Sequence, residues 1–152
     1  MNVPRRFVAE TASDLQQFAA QVAAQLRPGD LVLLSGPLGA GKTTFAQGVG
    51  AALGVRERLT SPTFVIAREH RGRVPVVHVD AYRLGGLEEL EDLDLESELD
   101  EAVVLVEWGQ GMAEALADGY LMVDIDRESG AGESRVVQLS AVGDRWAGVV
   151  AT

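Results

Sequence analysis

Three patterns follow one another without a gap between residues 31 and 54. Leu31-Val32-Leu33-Leu34 is an unbroken apolar run, a glycine-punctuated loop follows, and then Phe45, Val49 and Leu53 recur every fourth residue up to Gly54. A short apolar run bounded by turn residues is the pattern of a strand buried on both faces of a parallel sheet. The four-residue recurrence is that of a helix with one buried face, and a glycine just past it is a stop signal. Strand, loop and helix in this order already demand an α/β arrangement.

The loop narrows the reading further. Gly36-Pro37-Leu38-Gly39-Ala40-Gly41-Lys42-Thr43 matches G-x-x-x-x-G-K-T at every defined position, in the strand-to-helix context that the pattern needs. Glycines let the backbone curl so that successive N–H groups, here of Gly36, Gly39, Ala40 and Gly41, point inward at phosphates. The start of the following helix adds unpaired N–H groups and its dipole. Lys42 is the chain's only lysine among 13 basic residues. A compact ammonium on a flexible stem suits the β and γ phosphates. The Thr43 hydroxyl suits a magnesium ion carried by the triphosphate, and Thr44 can donate to the α phosphate. The loop therefore points to a nucleoside triphosphate with magnesium.

Elsewhere the periods alternate between helix and strand. Phe7-Val8-Ala9 opens a short strand, and Thr11 or Ser13 caps a helix whose Leu15, Phe18, Ala19, Val22 and Leu26 share a face, ended by Pro28-Gly29. Residues 63–69 and 74–79 read as a hairpin about the turn Arg71-Gly72-Arg73. Leu87, Leu90 and Leu93 stripe an acidic run as short helical pieces, Val103-Val104-Leu105-Val106 is a second buried strand, and residues 112–116 read as a helix ended by Gly119. Residues 120–125 and 134–139 form a closing antiparallel pair around a turn at 130–132. Gly48 and Gly50 lower helix propensity by about 1 kcal/mol each relative to alanine, which close packing of that helix on the sheet explains. With no linker or repeat, residues 1–152 read as one α/β domain. The expected architecture is a three-layer P-loop nucleoside triphosphate hydrolase-like fold with a mixed, mainly parallel sheet and extra antiparallel strands.

Composition limits the partners. The chain has no cysteine, which excludes disulfides, zinc thiolates and a thiol nucleophile. Twenty-three acidic residues against 13 basic ones give a net charge of -10, the wrong sign for a nucleic-acid grip. No apolar stretch reaches membrane-spanning or signal-peptide length, so a soluble, intracellular chain is expected. Arg56, Arg58, Arg68, Arg71 and Arg73 gather in one segment, and acidic residues crowd 88–101. Each cluster is either a solvated surface or a docking face.

A triphosphatase also needs an acid near magnesium and a means of orienting water. Two apolar strands end in a carboxylate, at Asp80 and at Glu107. Open α/β sheets bind ligands beyond the carboxyl ends of their strands, so one acid can serve the metal and the other the water. Ser61-Pro62-Thr63 is either a fixed turn or a switch sensing the γ phosphate. His78 is most simply a packed or hydrogen-bonded sheet residue on the same strand face as Asp80, and His70 reads as a surface turn residue. Arg83 can neutralise phosphate or pair with the acidic run. Trp108 either walls the nucleotide pocket or packs at the sheet edge.

Taken together, Leu38-Gly39-Ala40-Gly41-Lys42-Thr43-Thr44, Ser61-Pro62-Thr63-Phe64, His78-Val79-Asp80-Ala81-Tyr82-Arg83 and Val106-Glu107-Trp108 resemble, in this order, the TsaE family of bacterial ATPases. The first segment is generic to phosphate loops; the third and fourth together are much more specific. Pro37 stands where that family usually carries aspartate. The resemblance implies an ATP and Mg2+ site. In it Lys42 and the loop amides bind phosphates, and Thr43 and Glu107 bind magnesium. Asp80 is a catalytic or magnesium-organising acid, Thr63 belongs to a switch, and Thr11 and Arg135 lie nearer the nucleoside. It also implies a cytoplasmic ATPase, slow when alone, that acts with TsaB and TsaD. That complex carries out threonylcarbamoyl modification of adenosine 37 in tRNAs reading codons that start with A. Contact with tRNA is then expected only within or through the complex.

Three other classes compete. A P-loop small-molecule kinase needs an arginine-bearing lid, whereas the segment after Arg83 is acidic. A GTP switch needs an N-K-x-D segment, which is not evident. A non-hydrolysing scaffold leaves the paired carboxylates without a use.

Overall fold

The computed structural model describes residues 3–37, 39–56, 67–80, 100–107, 119–127 and 132–150, with the side chains of 67, 68 and 80 excepted. The apolar run forms strand β2 (Leu31–Ser35), preceded by β1 (Arg6–Ala9) and helix α1 (Ala12–Ala23) and followed by helix α2 (Lys42–Ala52). The other strands are β3 (Ala67–His70), β4 (Val76–Asp80), β5 (Val103–Glu107), β6 (Tyr120–Arg127) and β7 (Arg135–Val142). All seven belong to one sheet in the order β1-β7-β6-β2-β5-β4-β3. The four central strands, β6, β2, β5 and β4, run parallel. Antiparallel strands extend both flanks, β3 beyond β4 on one side and β7 and β1 beyond β6 on the other.

Alternation along the central strands explains their unbroken apolar sequences. Val32, Leu34, Leu105 and Val123 join Leu15, Phe18, Val22, Phe45 and Val49 in the main core. Leu31, Leu33, Val104 and Val106 alternate with them along β2 and β5 and are equally buried. Each such full burial contributes about 1.5–3 kcal/mol. Both faces of the central sheet are therefore covered. The helical pieces expected at 87–93 and 112–116 lie outside the described residues.

Thr11 caps α1, its hydroxyl accepting from Asp14 N at 3.1 Å. Phe18 stacks on Phe7 of β1 with ring centroids 4.4 Å apart. Gly48 does not serve packing on the sheet, as its position suggested. A Cβ there would lie 2.7 Å from Gln16 O and 2.8 Å from Ala19 Cβ, so it is α1 that approaches α2 closely.

His70 is also placed differently from its sequence reading. It ends β3 and is buried. The hairpin tip folds against the end of α2: Arg73 N donates to Leu53 O at 2.8 Å, and Gly72 has no room for a side chain beside Leu53 and Gly54. Arg73 Nη2 also donates to Ala52 O, a cation at a helix C-terminus. One member of the arginine cluster thus has a structural task.

Candidate nucleotide-binding site

The phosphate loop leaves β2 at Gly36, whose φ of 142° is closed to side chains, and a Cβ there would strike Ile125 O of β6. Gly41, with φ 116°, is the N-cap of α2 and sits against Leu15, where a Cβ would fall 2.8 Å from Cδ2. The loop is thus wedged between the end of β6 and the first turns of α1. Phe45 N makes the first intrahelical bond of α2, to Gly41 O, and no acidic side chain occupies the first turn. The N–H groups of Lys42, Thr43 and Thr44 precede that bond, which is the arrangement of an anion site.

Lys42 is buried, and its Nζ donates to Gly36 O at 2.7 Å and Pro37 O at 3.0 Å. The ammonium is therefore folded over the loop's own carbonyls. Phosphate oxygens offer stronger acceptors in the same place. Thr43 and Thr44 lie half-buried in the first turn of α2.

The carboxylates occupy neighbouring strands. Leu34 is in register with Glu107, and Glu107 with Asp80. Glu107 thus stands one strand from the loop-bearing β2, and Asp80 two, or about 10 Å at ordinary strand spacing. Glu107 is buried, and its Oε2 lies 2.5 Å from His78 Nε2. The side chain of Asp80 lies outside the described atoms, as do Thr63, Arg83 and Trp108 altogether. A threonine hydroxyl in the first turn of α2 and one carboxylate on the adjacent strand are hard oxygen donors. So sparse a set suits magnesium when phosphates and waters complete its octahedron.

Arg135 and Thr11 approach from the other side. Arg135 is in register with Ala9 of β1 and with Arg127 of β6. Its Nε donates to Ala40 O at 2.9 Å, and its Nη1 holds the Gly132 and Ser134 carbonyls. Thr11 follows β1 at the same edge of the sheet, with its hydroxyl engaged in the α1 cap.

Sequence reasoning missed two members of this constellation. Arg127, the last residue of β6, reaches Gly39: a Cβ there would lie 3.2 Å from its Nη2. The available signal was a cation at the end of an alternating strand, but nothing in the sequence placed β6 beside β2. The second is the bond from His78 to Glu107. The shared strand face of His78 and Asp80 was legible, and the parallel register that brings in Glu107 was not.

Residues 9–137 match the protein family described as threonylcarbamoyl adenosine biosynthesis protein TsaE. The tRNA threonylcarbamoyladenosine biosynthesis protein TsaE of Streptomyces coelicolor is 52% identical over 139 residues, which cover 88% of this chain and 94% of the relative. The protein of the same name from Bacillus subtilis is 38% identical, with 88% of this chain and 83% of the relative covered. Among solved structures, that of Bacillus subtilis YdiB superposes with a TM-score of 0.73 at 33% identity, covering 93% of this chain and 88% of that one.

Proposed function

Because this chain belongs to the TsaE family, we propose that it is an ATPase of tRNA threonylcarbamoyladenosine biosynthesis, working on the partner proteins TsaB and TsaD rather than on tRNA directly. The observation that carries the reading is the position of Lys42: a buried ammonium over the Gly36 and Pro37 carbonyls, at the N-terminus of α2 and one strand from Glu107. The kinase alternative is not favoured beside this family membership.

In the proposed reaction, the loop amides and Lys42 bind the β and γ phosphates of ATP, and Thr44 donates to the α phosphate. Thr43 and Glu107 would hold Mg2+, which when bound would offset the negative charge of the phosphates. Asp80 orients the water that attacks the γ phosphorus, releasing ADP and phosphate. Thr63 couples the γ phosphate to the partner surface, while Thr11, Trp108 and Arg135 border the nucleoside. A net charge of -10 is compatible with tRNA being gripped by the partners rather than by this chain. The proposed place of action is the cytoplasm; among the described residues no helix is long and apolar enough to cross a membrane.

The test is ATP hydrolysis with Mg2+ by the chain alone and with TsaB and TsaD. Slow turnover alone and faster turnover with both partners is the expected result. Turnover indifferent to the partners, or phosphate delivered to a metabolite instead of water, would contradict it.

A further inference from the structure

His78 occupies a place that packing alone would give to an aliphatic residue. It is fully buried, its register neighbour on β5 is the core residue Leu105, and Val76 lies two residues earlier on the same strand face. Putting a ring with two polar nitrogens there carries a desolvation cost unless they are hydrogen-bonded. One nitrogen is: Nε2 lies 2.5 Å from Glu107 Oε2, reaching two residues beyond Leu105 along β5. Nδ1 is buried with no hydrogen-bond partner among the described residues. A bare ring lone pair is tolerated in such a place better than an unsatisfied N–H. The geometry fits a ring whose Nε2–H donates to Glu107 Oε2 and whose Nδ1 carries the lone pair.

The consequence is orientational. Glu107 has three side-chain torsions, and a bond to one carboxylate oxygen removes most of their freedom. With Oε2 held by His78, Oε1 is the oxygen left for a ligand, and no hydrogen bond engages it among the described residues. Groups that hydrogen-bond to a metal ligand fix its direction, and losing them typically costs about 10–100-fold in metal affinity. We propose that His78 is a positioning residue for the divalent cation, fixing Glu107 so that its Oε1 faces the nucleotide-borne metal. This rests on the nucleotide reading above and adds to it the residue that sets the metal ligand's direction.

Two measurements test it without relying on turnover. The first is Mn2+ binding to the ADP-loaded chain, followed by electron paramagnetic resonance, beside ADP binding in EDTA. His78→Leu should weaken Mn2+ binding by about tenfold or more while leaving ADP affinity in EDTA as in wild type. His78→Gln, whose amide N–H can reach the same carboxylate, should recover most of the loss. Mn2+ affinity in His78→Leu equal to wild type, or a Gln variant no better than Leu, would overturn the proposal. Wild type that binds neither ADP nor ATP with Mg2+ present would instead overturn the parent reading.

The second measurement needs no change at His78. Nitrogen-15 NMR of the histidine rings should find the His78 proton on Nε2, with that signal displaced in Glu107→Gln. An Nε2 that carries no proton, so that His78 donates nothing to Glu107, would overturn the proposal.

Discussion

Arg135 Nε donates to the carbonyl of Ala40 at 2.9 Å, joining the first residue of β7 to the phosphate loop across 95 residues of sequence. Two further bonds, to Gly132 O and Ser134 O, hold the same guanidinium in place. The loop is thus braced from the antiparallel flank of the sheet as well as from β2 and α2. A hydrogen bond from a charged group contributes about 1.5–3 kcal/mol. Arg135→Ala should therefore weaken ATP binding by about tenfold or more, with a smaller effect on overall stability. Titration calorimetry beside thermal unfolding checks this. Unchanged affinity would show that the loop holds its shape without the brace.

Gly36→Ala tests the wedge between loop and β6. The added carbon would collide with Ile125 O at a φ of 142°, and backbone is on the receiving side. Strain of this kind is expected to exceed about 2 kcal/mol, or about 4 °C or more in melting temperature for a chain of this size. ATP binding should be lost as well. A variant that melts and binds like wild type would mean that the loop can leave β2 by another path.

At the end of β2 opposite the phosphate loop, Arg145 forms a paired contact with Asp30, through Nε at 2.9 Å and Nη2 at 2.8 Å. It also lies 4.6 Å above the Trp146 ring. Asp30 is buried and accepts from Arg27 N as well. Arg145→Ala leaves that carboxylate without its cation, a loss of about 3–5 kcal/mol for a fully buried pair and less here because Arg145 is partly exposed. Urea unfolding should show a loss of about 2 kcal/mol or more. ATP affinity, set at the other end of β2, should not change. A fall in affinity as large as that of Arg135→Ala would contradict this division of labour.

Arg127 lies beside Gly39, and its guanidinium has no hydrogen-bond or ion-pair partner among the described residues. Its exposure makes any attraction to phosphates sensitive to screening. Arg127→Glu should weaken ATP binding more than Arg127→Ala, and the gap should narrow between low and high salt. Equal affinities for the two variants at low salt would remove Arg127 from the site.

How much of this could be read from the sequence follows from the range of the interactions involved. The loop, α2, and the capped α1 were legible because each is specified within a dozen residues: a glycine pattern, a four-residue recurrence, Thr11 before Asp14. The hairpin of β3 and β4 was legible for the same reason. Pairing of β2 with both β5 and β6 was not, because parallel neighbours have no local turn to announce them. That gap, with the equally unannounced pairing of β4 and β5, hid Arg127 beside Gly39 and Glu107 beside His78. His70 was misplaced because the docking of its hairpin on Leu53 and Gly54 is a tertiary contact. Gly48 was assigned to the sheet because periodicity shows that a face is buried, not what buries it.

The central claim is that Gly36 to Thr44 bind the phosphates of ATP through Lys42. Calorimetric titration of ATP with Mg2+ into wild type and Lys42→Ala, with folding verified by thermal unfolding, tests it most directly. Loss of two charge-assisted phosphate contacts corresponds to about 3 kcal/mol or more, so affinity should fall at least about 100-fold while the fold persists. A folded Lys42→Ala chain that binds ATP as tightly as wild type would contradict the account.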